Sequence, residues 1–206
     1  MDEARRIRDF WFGNAPLSAD ALHRRILFWF GDESGERRQR RDQHIRVRFS
    51  GLLERAAKGE LDAWADGPRR RLSLIILLDQ FPRSIFRGSP RAFAHDTQAL
   101  GLTLSGMQSA ADAALSLVER VFFYMPLEHA ESREVQEESI AAYRRLLSEA
   151  PAELQDFFAS ALRSAENHRT IIDRFGRFPH RNRVLGRDTT KEELEWLRGG
   201  GERFGQ

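Results

Sequence analysis

The sequence predicts an all-α protein, and three observations lead to that prediction. Apolar residues recur at steps of three and four along nearly all of the 206 residues, which is the period of a helix that buries one face. Helix-capping residues and first-turn prolines stand where several of these patterns begin. One continuous apolar run, residues 72–78, fits a buried strand or a buried helix, but no second strand candidate exists to pair with it. We therefore predict a central helix there that stops before Pro82.

A four-residue motif occurs twice near the start of the chain. Residues 10–13 read Phe-Trp-Phe-Gly, and residues 28–31 repeat them. We predict that both are helix ends at which the aromatic side chains pack into the core and glycine reverses the chain. A charged stretch that begins near Glu36 then carries apolar residues at helical steps from Ile45 to Ala56, which predicts an amphipathic helix.

Capping and proline signals predict the helices of the second half. We place them over 89–104, 132–148 and 151–176, and from the capping box at 189–193 onward. The 151–176 helix is predicted to be the longest and to end at Gly176, because glycine suits the left-handed position after a helix. We expect one helical domain over 1–198 and a flexible C-terminal tail over 199–206, which begins with three glycines.

The composition excludes several classes of function. The chain has 33 basic and 31 acidic residues, interspersed with one another, so no basic stripe predicts nucleic-acid binding. It contains no cysteine, which excludes disulfides, thiolate zinc sites and cysteine nucleophiles. No segment is long and apolar enough for a membrane helix, and the N-terminus lacks the apolar run of a signal peptide. We expect a soluble cytoplasmic protein that binds neither nucleic acid nor membrane, with its oligomeric state left open.

Four polar clusters are candidates for a functional site. The first, Asp79, Gln80 and Arg83, follows the buried run directly, so its carboxylate must be paired. We weigh a structural ion pair between Asp79 and Arg83 against a catalytic aspartate. The second cluster holds His129 and Glu131. The acidic residues on both sides of His129 would raise its pKa if they lie close to it in space.

The other two clusters are neighbours in the sequence. His168 stands on the apolar stripe of the predicted 151–176 helix, and it would lie beneath the following loop if that loop folds back. That loop is the fourth cluster, and its polar members are Arg177, His180, Arg181 and Asn182. Its arginines either bind an anion, or cap helix carbonyls and pair with Asp79 or Glu131. No His-Glu-x-x-His motif, phosphate-binding glycine loop or dinucleotide fingerprint occurs, so we expect no metal and no cofactor.

Taken in order, these segments resemble one known family, the bacterial domain-of-unknown-function family 924. The matching segments are residues 9–13, 29–30, 78–83, 86–87, 92–94, 123–127, 174–182 and 185–187. The matching single residues are Asp42, Ile45, Phe49, Asp96, His129, Glu131, His168 and Ile172. The resemblance spans roughly residues 7–198. It implies a right-handed superhelix of irregular helical repeats similar to tetratricopeptide-repeat folds, and it implies that every candidate above except His180 belongs to the family's pattern. It implies no reaction. One departure is Ala130, where we expect a small hydroxyl residue in many relatives.

Three functions are compatible with these residues. The favoured one is binding of a small anionic ligand, such as a carboxylate or phosphate, by three arginines and two histidines. Those residues are Arg83, Arg177, Arg181, His129 and His168. The second is a hydrolase at the same site with His129 or Glu131 as general base, so enzymatic activity stays open. The third is a protein-interaction scaffold whose polar clusters only hold helices in register.

Overall fold

The computed structural model describes residues 2–13, 19–31, 35–202 and 204, and every regular element in these ranges is helical. The α-helices are α1 Glu3–Phe12, α2 Ala19–Phe30, α3 Gly35–Ala57, α4 Pro68–Ile85, α5 Asp96–Gln108, α6 Leu117–Glu128, α7 Arg133–Glu149, α8 Gln155–Phe175, α9 Asn182–Leu185 and α10 Lys191–Arg198. Short 3-10 turns lie at Asp62–Asp66, Pro90–Phe93, Ala111–Ala114, Ala152–Leu154 and Pro179–Arg181. The all-α prediction is confirmed, while the right-handed superhelix stays a prediction. Within the described residues, no helix has the length and hydropathy that crossing a membrane requires.

Helix α4 is the central element of the core. It packs against α1, α3, α5 and α6, which explains why residues 72–78 are buried on every side and are all apolar except Ser73. The run is a helix, as predicted, but the predicted stop is wrong because α4 continues through the buried Pro82 to Ile85. Pro82 lacks the N–H that the carbonyl of Leu78 would accept from, a loss of about 3 kcal/mol in an isolated helix. Packing on all sides of α4 outweighs this loss.

Two other predicted helices begin later than their prolines indicate. The hydroxyl of Ser89 accepts from the backbone N–H of Arg91, but the cap opens the Pro90–Phe93 turn, and α5 starts separately at Asp96. Likewise a short turn follows Pro151, and α8 starts at Gln155. A first-turn proline fits either kind of helix because its missing N–H would have no intrahelical partner in either one.

The prediction that the helix ending at Gly176 is the longest is wrong, but its predicted end is confirmed. Helix α3 has 23 residues, so it exceeds α8, which has 21. Gly176 follows α8 in the left-handed region with φ of 69°.

The aromatic ends of α1 and α2 pack together as predicted, with one exception. Trp11, Phe12 and Trp29 are buried, and the indole N–H of Trp29 donates to the carbonyl of Trp11 at 3.0 Å. Gly13 turns the chain with φ of 92°. Phe30 differs from the prediction because 51% of its surface is exposed.

A second, smaller apolar cluster holds the C-terminal part in place. It is formed by Ile171, Ile172 and Phe178, with Phe175, Trp196 and Phe204 packed around them. The predicted capping box of α10 is present, since Thr190 and Glu193 accept each other's backbone N–H groups. This cluster fixes the loop between α8 and α9 against the rest of the protein. The flexibility of residues 199–206 stays a prediction.

Candidate functional site

A cavity of about 530 Å³ opens where α1, α2, α3, α4, α6 and α8 meet the loop that follows α8. Six of the ten candidate residues line it: Gln80, Arg83, His129, His168, His180 and Arg181. They come from three separate parts of the sequence, the end of α4, the end of α6, and the segment from α8 to the following loop. The other four candidates, Asp79, Glu131, Arg177 and Asn182, are not among the lining residues.

Asp79 is fully buried behind the cavity wall, and its carboxylate contacts three side chains that line the cavity. One carboxylate oxygen lies 2.7 Å from Nδ1 of His129 and 3.2 Å from a guanidinium nitrogen of Arg83, and the other accepts from the side-chain amide of Gln80. Burial opposes ionisation of this carboxyl, but Arg83 and His129 outweigh it and hold the pKa of Asp79 below its ordinary value. The predicted ion pair with Arg83 is therefore present.

The expectation that acidic neighbours raise the pKa of His129 is wrong. Burial, followed by the charge of Arg83, lowers the pKa of this imidazole, although Asp79 opposes the shift. The two acidic residues next to it in sequence make their hydrogen bonds elsewhere, Glu128 with Ser164 and Glu131 with Arg187. His129 is neutral at neutral pH. In that form its Nδ1–H donates to the ionised carboxylate of Asp79, which leaves Nε2 with a lone pair.

Two buried arginines share one carboxylate at the cavity wall. Asp96 accepts two hydrogen bonds from Arg83 at 2.8 and 2.9 Å, and one longer contact of 3.5 Å from Arg181. Arg181 is 6% exposed and also donates to the backbone carbonyl of His129 at 3.2 Å. Its Nε has no hydrogen-bond partner within the described ranges. Burial, and then the charge of Arg83, lowers the pKa of Arg181 to about 10. The two arginines and the carboxylates of Asp79 and Asp96 balance in charge, but Arg181 reaches its carboxylate through one long contact only.

Glu128 and His168 form a second buried pair beside the cavity. Each is 4% exposed, and their side chains approach to 3.3 Å. Burial raises the pKa of Glu128 to about 7, against hydrogen bonds from Tyr143 and Ser164. Burial, and then repulsion from His129 once that imidazole is protonated, lowers the pKa of His168 to about 3. His168 is therefore neutral, with Nδ1 held 2.8 Å from the carbonyl of Ser164.

The structure places His168 beneath the loop that follows α8, as the sequence led us to expect. Its ring lies edge-on to Phe178, with 5.6 Å between ring centroids, and stacks on Phe204 at 3.6 Å. His180 stands next to them and lines the same cavity. Burial, and then the charge of Arg181, lowers the pKa of His180 to about 3. The cavity therefore holds three neutral histidines at neutral pH.

The remaining candidates lock the loop to α10. Arg177 donates twice to Glu193, at 2.7 and 2.9 Å, and Asn182 donates to the same carboxylate at 3.1 Å. Arg177, and the backbone N–H of Thr190 after it, lower the pKa of Glu193 to about 2. The alternative in which loop arginines pair with acidic groups is thus correct for Arg177, although its partner is neither of the two considered.

Glu131 has a similar structural role. Its two oxygens accept from Arg187, at 2.7 and 3.0 Å, and one accepts from the backbone N–H of Phe178 at 2.8 Å. Glu131 ties the end of α6 to the loop, with both carboxylate oxygens in use.

The site residues predicted from the sequence leave out a large part of the lining. The additional residues are Trp11, Trp29, Phe30, Gly31, Arg38, Arg41, Ser84, Arg87, Met125, Glu128, Ser164, Glu202 and Phe204. The arginines of α3 looked like part of a solvated helix face, and the aromatics looked like core. One signal was available: Arg38 and Arg41 are three residues apart, so they share a face of α3. No group of three His, Asp or Glu residues in the described part of the chain is arranged to hold a metal ion.

Fold and site together define a class: an all-α protein with an arginine- and histidine-lined cavity behind an interlocked C-terminal loop. The chain belongs to the family described as bacterial protein of unknown function (DUF924), whose sequence profile matches residues 7–201. It is similar to the solved structure of the protein of unknown function ATU0120 from Agrobacterium tumefaciens, with 36% identity and a TM-score of 0.78. That similarity covers 96% of this chain and 97% of the other. Among curated proteins, none matches this chain.

Proposed function

We propose that this protein binds a small anionic ligand in the cavity, with Arg181 as the principal anchor. The observation that carries the proposal is the environment of Arg181: the residue lines the cavity, is 6% exposed, and shares Asp96 with Arg83 through a single contact of 3.5 Å. A buried cation is costly unless it is paired and hydrogen-bonded. Because Arg181 reaches Asp96 through one long contact only, an anion in the cavity would give its guanidinium a closer partner.

The other lining groups suit the same ligand. Arg38 lines the cavity, is half-buried, and forms no ion pair with any described acidic residue. His129 and His180 are neutral at neutral pH, so each offers one N–H donor and one acceptor for orienting a bound group. Arg177, a member of the clamp expected from the sequence, belongs to the structural lock instead. The fold we propose for this arrangement is the right-handed, tetratricopeptide-like superhelix, whose concave face would hold the cavity.

A second candidate, hydrolysis at the same site, is favoured by the hydrogen bond between Asp79 and His129. A buried carboxylate that orients a neutral imidazole leaves its second nitrogen available as a general base. The geometry supports His129 in that role and disfavours Glu131, whose oxygens already accept from Arg187. Arg181 would then stabilise developing negative charge.

A protein-interaction scaffold in the cytoplasm remains the alternative from a different class. It requires an exposed apolar surface, and the large apolar side chains that are exposed in the described residues are Leu27, Phe30, Val47, Leu185 and Leu194. The scaffold hypothesis would be favoured if a partner protein bound equally well to the parent and to an Arg181 variant.

The test of the proposed function is isothermal titration calorimetry of the parent and of Arg181→Gln with phosphate and acetate. Arg174→Gln is the matched control, because Arg174 pairs with Glu192 at the surface and does not line the cavity. We expect Arg181→Gln to weaken binding about tenfold or more, the effect of losing a hydrogen bond to a charged group. Arg174→Gln should leave the Kd unchanged. Equal Kd values for the parent and Arg181→Gln would overturn the proposal, as would the absence of binding of either anion to the parent.

A further inference from the structure

The cavity has an apolar wall in addition to its cationic one. Trp11 comes from α1, Trp29 and Phe30 from α2, Met125 from α6, and Phe204 from the C-terminal segment. None of these side chains can pair with the charge of an anion. Their presence in a cationic cavity therefore needs a separate physical reason.

Two of these aromatics are held rigidly. Trp11 is 3% exposed and Trp29 is 7% exposed, and the hydrogen bond from the Trp29 indole to the Trp11 carbonyl links them. Both also pack edge-on against Phe122, with ring centroids 5.6 and 4.6 Å away. A wall fixed in this way offers a preformed apolar surface, which lowers the entropy lost when a flat group binds.

Phe30 is exposed where a core residue was expected. It follows Trp29 at the end of α2, has 51% of its surface exposed, and lines the cavity. An exposed aromatic ring gives up favourable burial. Since the ring lines the cavity, an apolar group bound there would recover part of that burial.

The chain itself shows that the site accepts an aromatic ring. Phe204 lies flat on the imidazole of His168, with 3.6 Å between centroids and 15° between planes. Its ring centroid is also 5.8 Å from that of His180. Neutral imidazoles are suitable stacking partners for flat rings because they keep no charge that requires hydration.

The size of the cavity leads to the same conclusion. About 530 Å³ lies within the range of roughly 300–1,000 Å³ in which proteins bind organic ligands. A free phosphate or acetate would occupy the cationic end and leave water against the exposed ring of Phe30. Replacing that water with apolar atoms is favourable.

We propose that the ligand is an amphiphilic organic anion, an inference that rests on the proposed function. Its carboxylate or phosphate group lies at Arg181, and its flat aromatic or compact apolar body lies against Trp11, Trp29 and Phe30.

The experiment compares matched probes that share an anionic group. Phosphate is paired with phenyl phosphate, and acetate with phenylacetate, and each Kd is measured by calorimetry on the parent protein. Burying one aromatic ring should make each phenyl probe bind at least about tenfold more tightly than its partner. Trp11 and Trp29 line the cavity, so phenyl phosphate should also change the tryptophan fluorescence more than phosphate does.

Two substitutions test whether the apolar part of the ligand contacts Phe30: Phe30→Ala, and Val47→Ala as its control. Phe30 lines the cavity, whereas Val47 is 74% exposed on α3 and does not. Phe30→Ala should weaken phenyl phosphate several-fold and leave phosphate unchanged, with an unaltered circular dichroism spectrum as the folding control. Val47→Ala should change neither Kd.

The outcomes separate the amphiphilic ligand from the anion site on which it rests. If phosphate and phenyl phosphate bind equally to the parent, and Arg181→Gln weakens both, the amphiphilic ligand is refuted and the anion site stands. Equal weakening of both probes by Phe30→Ala would also refute the amphiphilic ligand. If no probe binds to the parent, the anion site itself fails.

Discussion

Glu193 gives the sharpest prediction about what holds the site together. The substitution is Glu193→Gln, which keeps the shape of the side chain and removes its charge. In the parent, this one carboxylate accepts from Arg177, Asn182 and Thr190. The amide of glutamine has a single acceptor oxygen, and its NH₂ group would face donors that need an acceptor. The lock between the loop and α10 should therefore weaken.

The magnitude follows from the ionisation of Glu193. Its pKa falls from 4.5 to about 2, mainly through Arg177, and this shift corresponds to at most about 3 kcal/mol. The Arg177 side chain is 29% exposed, so solvent screens part of that interaction. We expect a loss of about 2 kcal/mol at pH 7, or a fall in Tm of about 4–8 °C for a domain of this size.

The pH dependence has a defined sign. A carboxylate whose pKa is depressed in the folded state stabilises the protein above its unfolded pKa, and this contribution disappears as the pH falls through the folded value. The difference between parent and Glu193→Gln should therefore be full at pH 7 and shrink to about two fifths at pH 3. Urea unfolding, followed by circular dichroism between pH 7 and pH 3, measures it.

Glu192→Gln is the matched control for this series. Glu192 is the neighbouring residue, and it pairs with Arg174 at the surface, where both side chains are about half exposed or more, at 61% and 49%. Its loss should cost under about 1 kcal/mol. Equal destabilisation by the two substitutions, or a Glu193→Gln effect that does not change with pH, would refute the lock.

Three further predictions concern the buried groups. In thermal melts, Glu128→Gln should be more stable than the parent at pH 8, and this advantage should shrink at pH 5. Burial raises the pKa of Glu128 to about 7, so the parent loses stability as the pH rises from the pKa of Glu128 in the unfolded chain through 7. A difference in stability that does not change with pH would contradict this. The imidazole of His168 should show no titration between pH 5 and pH 8 by NMR, because burial lowers its pKa to about 3; a midpoint near 6.5 would count against that burial. Gly106→Ala should destabilise by about 1–3 kcal/mol in urea unfolding, since the added Cβ would lie 2.5 Å from the ring of Phe123, whereas Gly101→Ala on the same helix meets nothing within 4 Å and should be neutral or stabilising.

The helices could be predicted because their signals are local. Apolar spacing, the capping box at Thr190 and the left-handed Gly176 each depend on a few neighbouring residues, and all three were located from the sequence. Proline was the weak signal. Pro82 lies inside α4 because tertiary packing outweighs its cost, and this packing comes from four other helices rather than from the residues next to Pro82.

The site was only partly predictable, for a related reason. Arg177 and Arg181 are four residues apart in one loop and look equivalent in the sequence. Their roles differ because Arg177 meets Glu193, while Arg181 meets Asp96, which is 85 residues away. Local spacing does not contain that information.

The same limit applies to the aromatic residues and to His129. The packing of Trp11 and Trp29 into the core was correctly predicted. That they also line a cavity could not be predicted, because it depends on where α4 and α6 lie in the fold. The acidic neighbours of His129 suggested a raised pKa, but burial and the charge of Arg83 lower it.

The proposed anion site is tested most directly by comparing Arg181→Gln with Arg177→Gln, measuring both the stability and the Kd for phenyl phosphate. Opposite effects are expected. Arg177→Gln should lower the free energy of unfolding, as loss of its partner Glu193 does, and leave the Kd within about twofold of the parent. Arg181→Gln should raise the Kd about tenfold or more while the protein stays folded. A Kd that changes with Arg177 and not with Arg181 would contradict the assignment of Arg181 as the anchor.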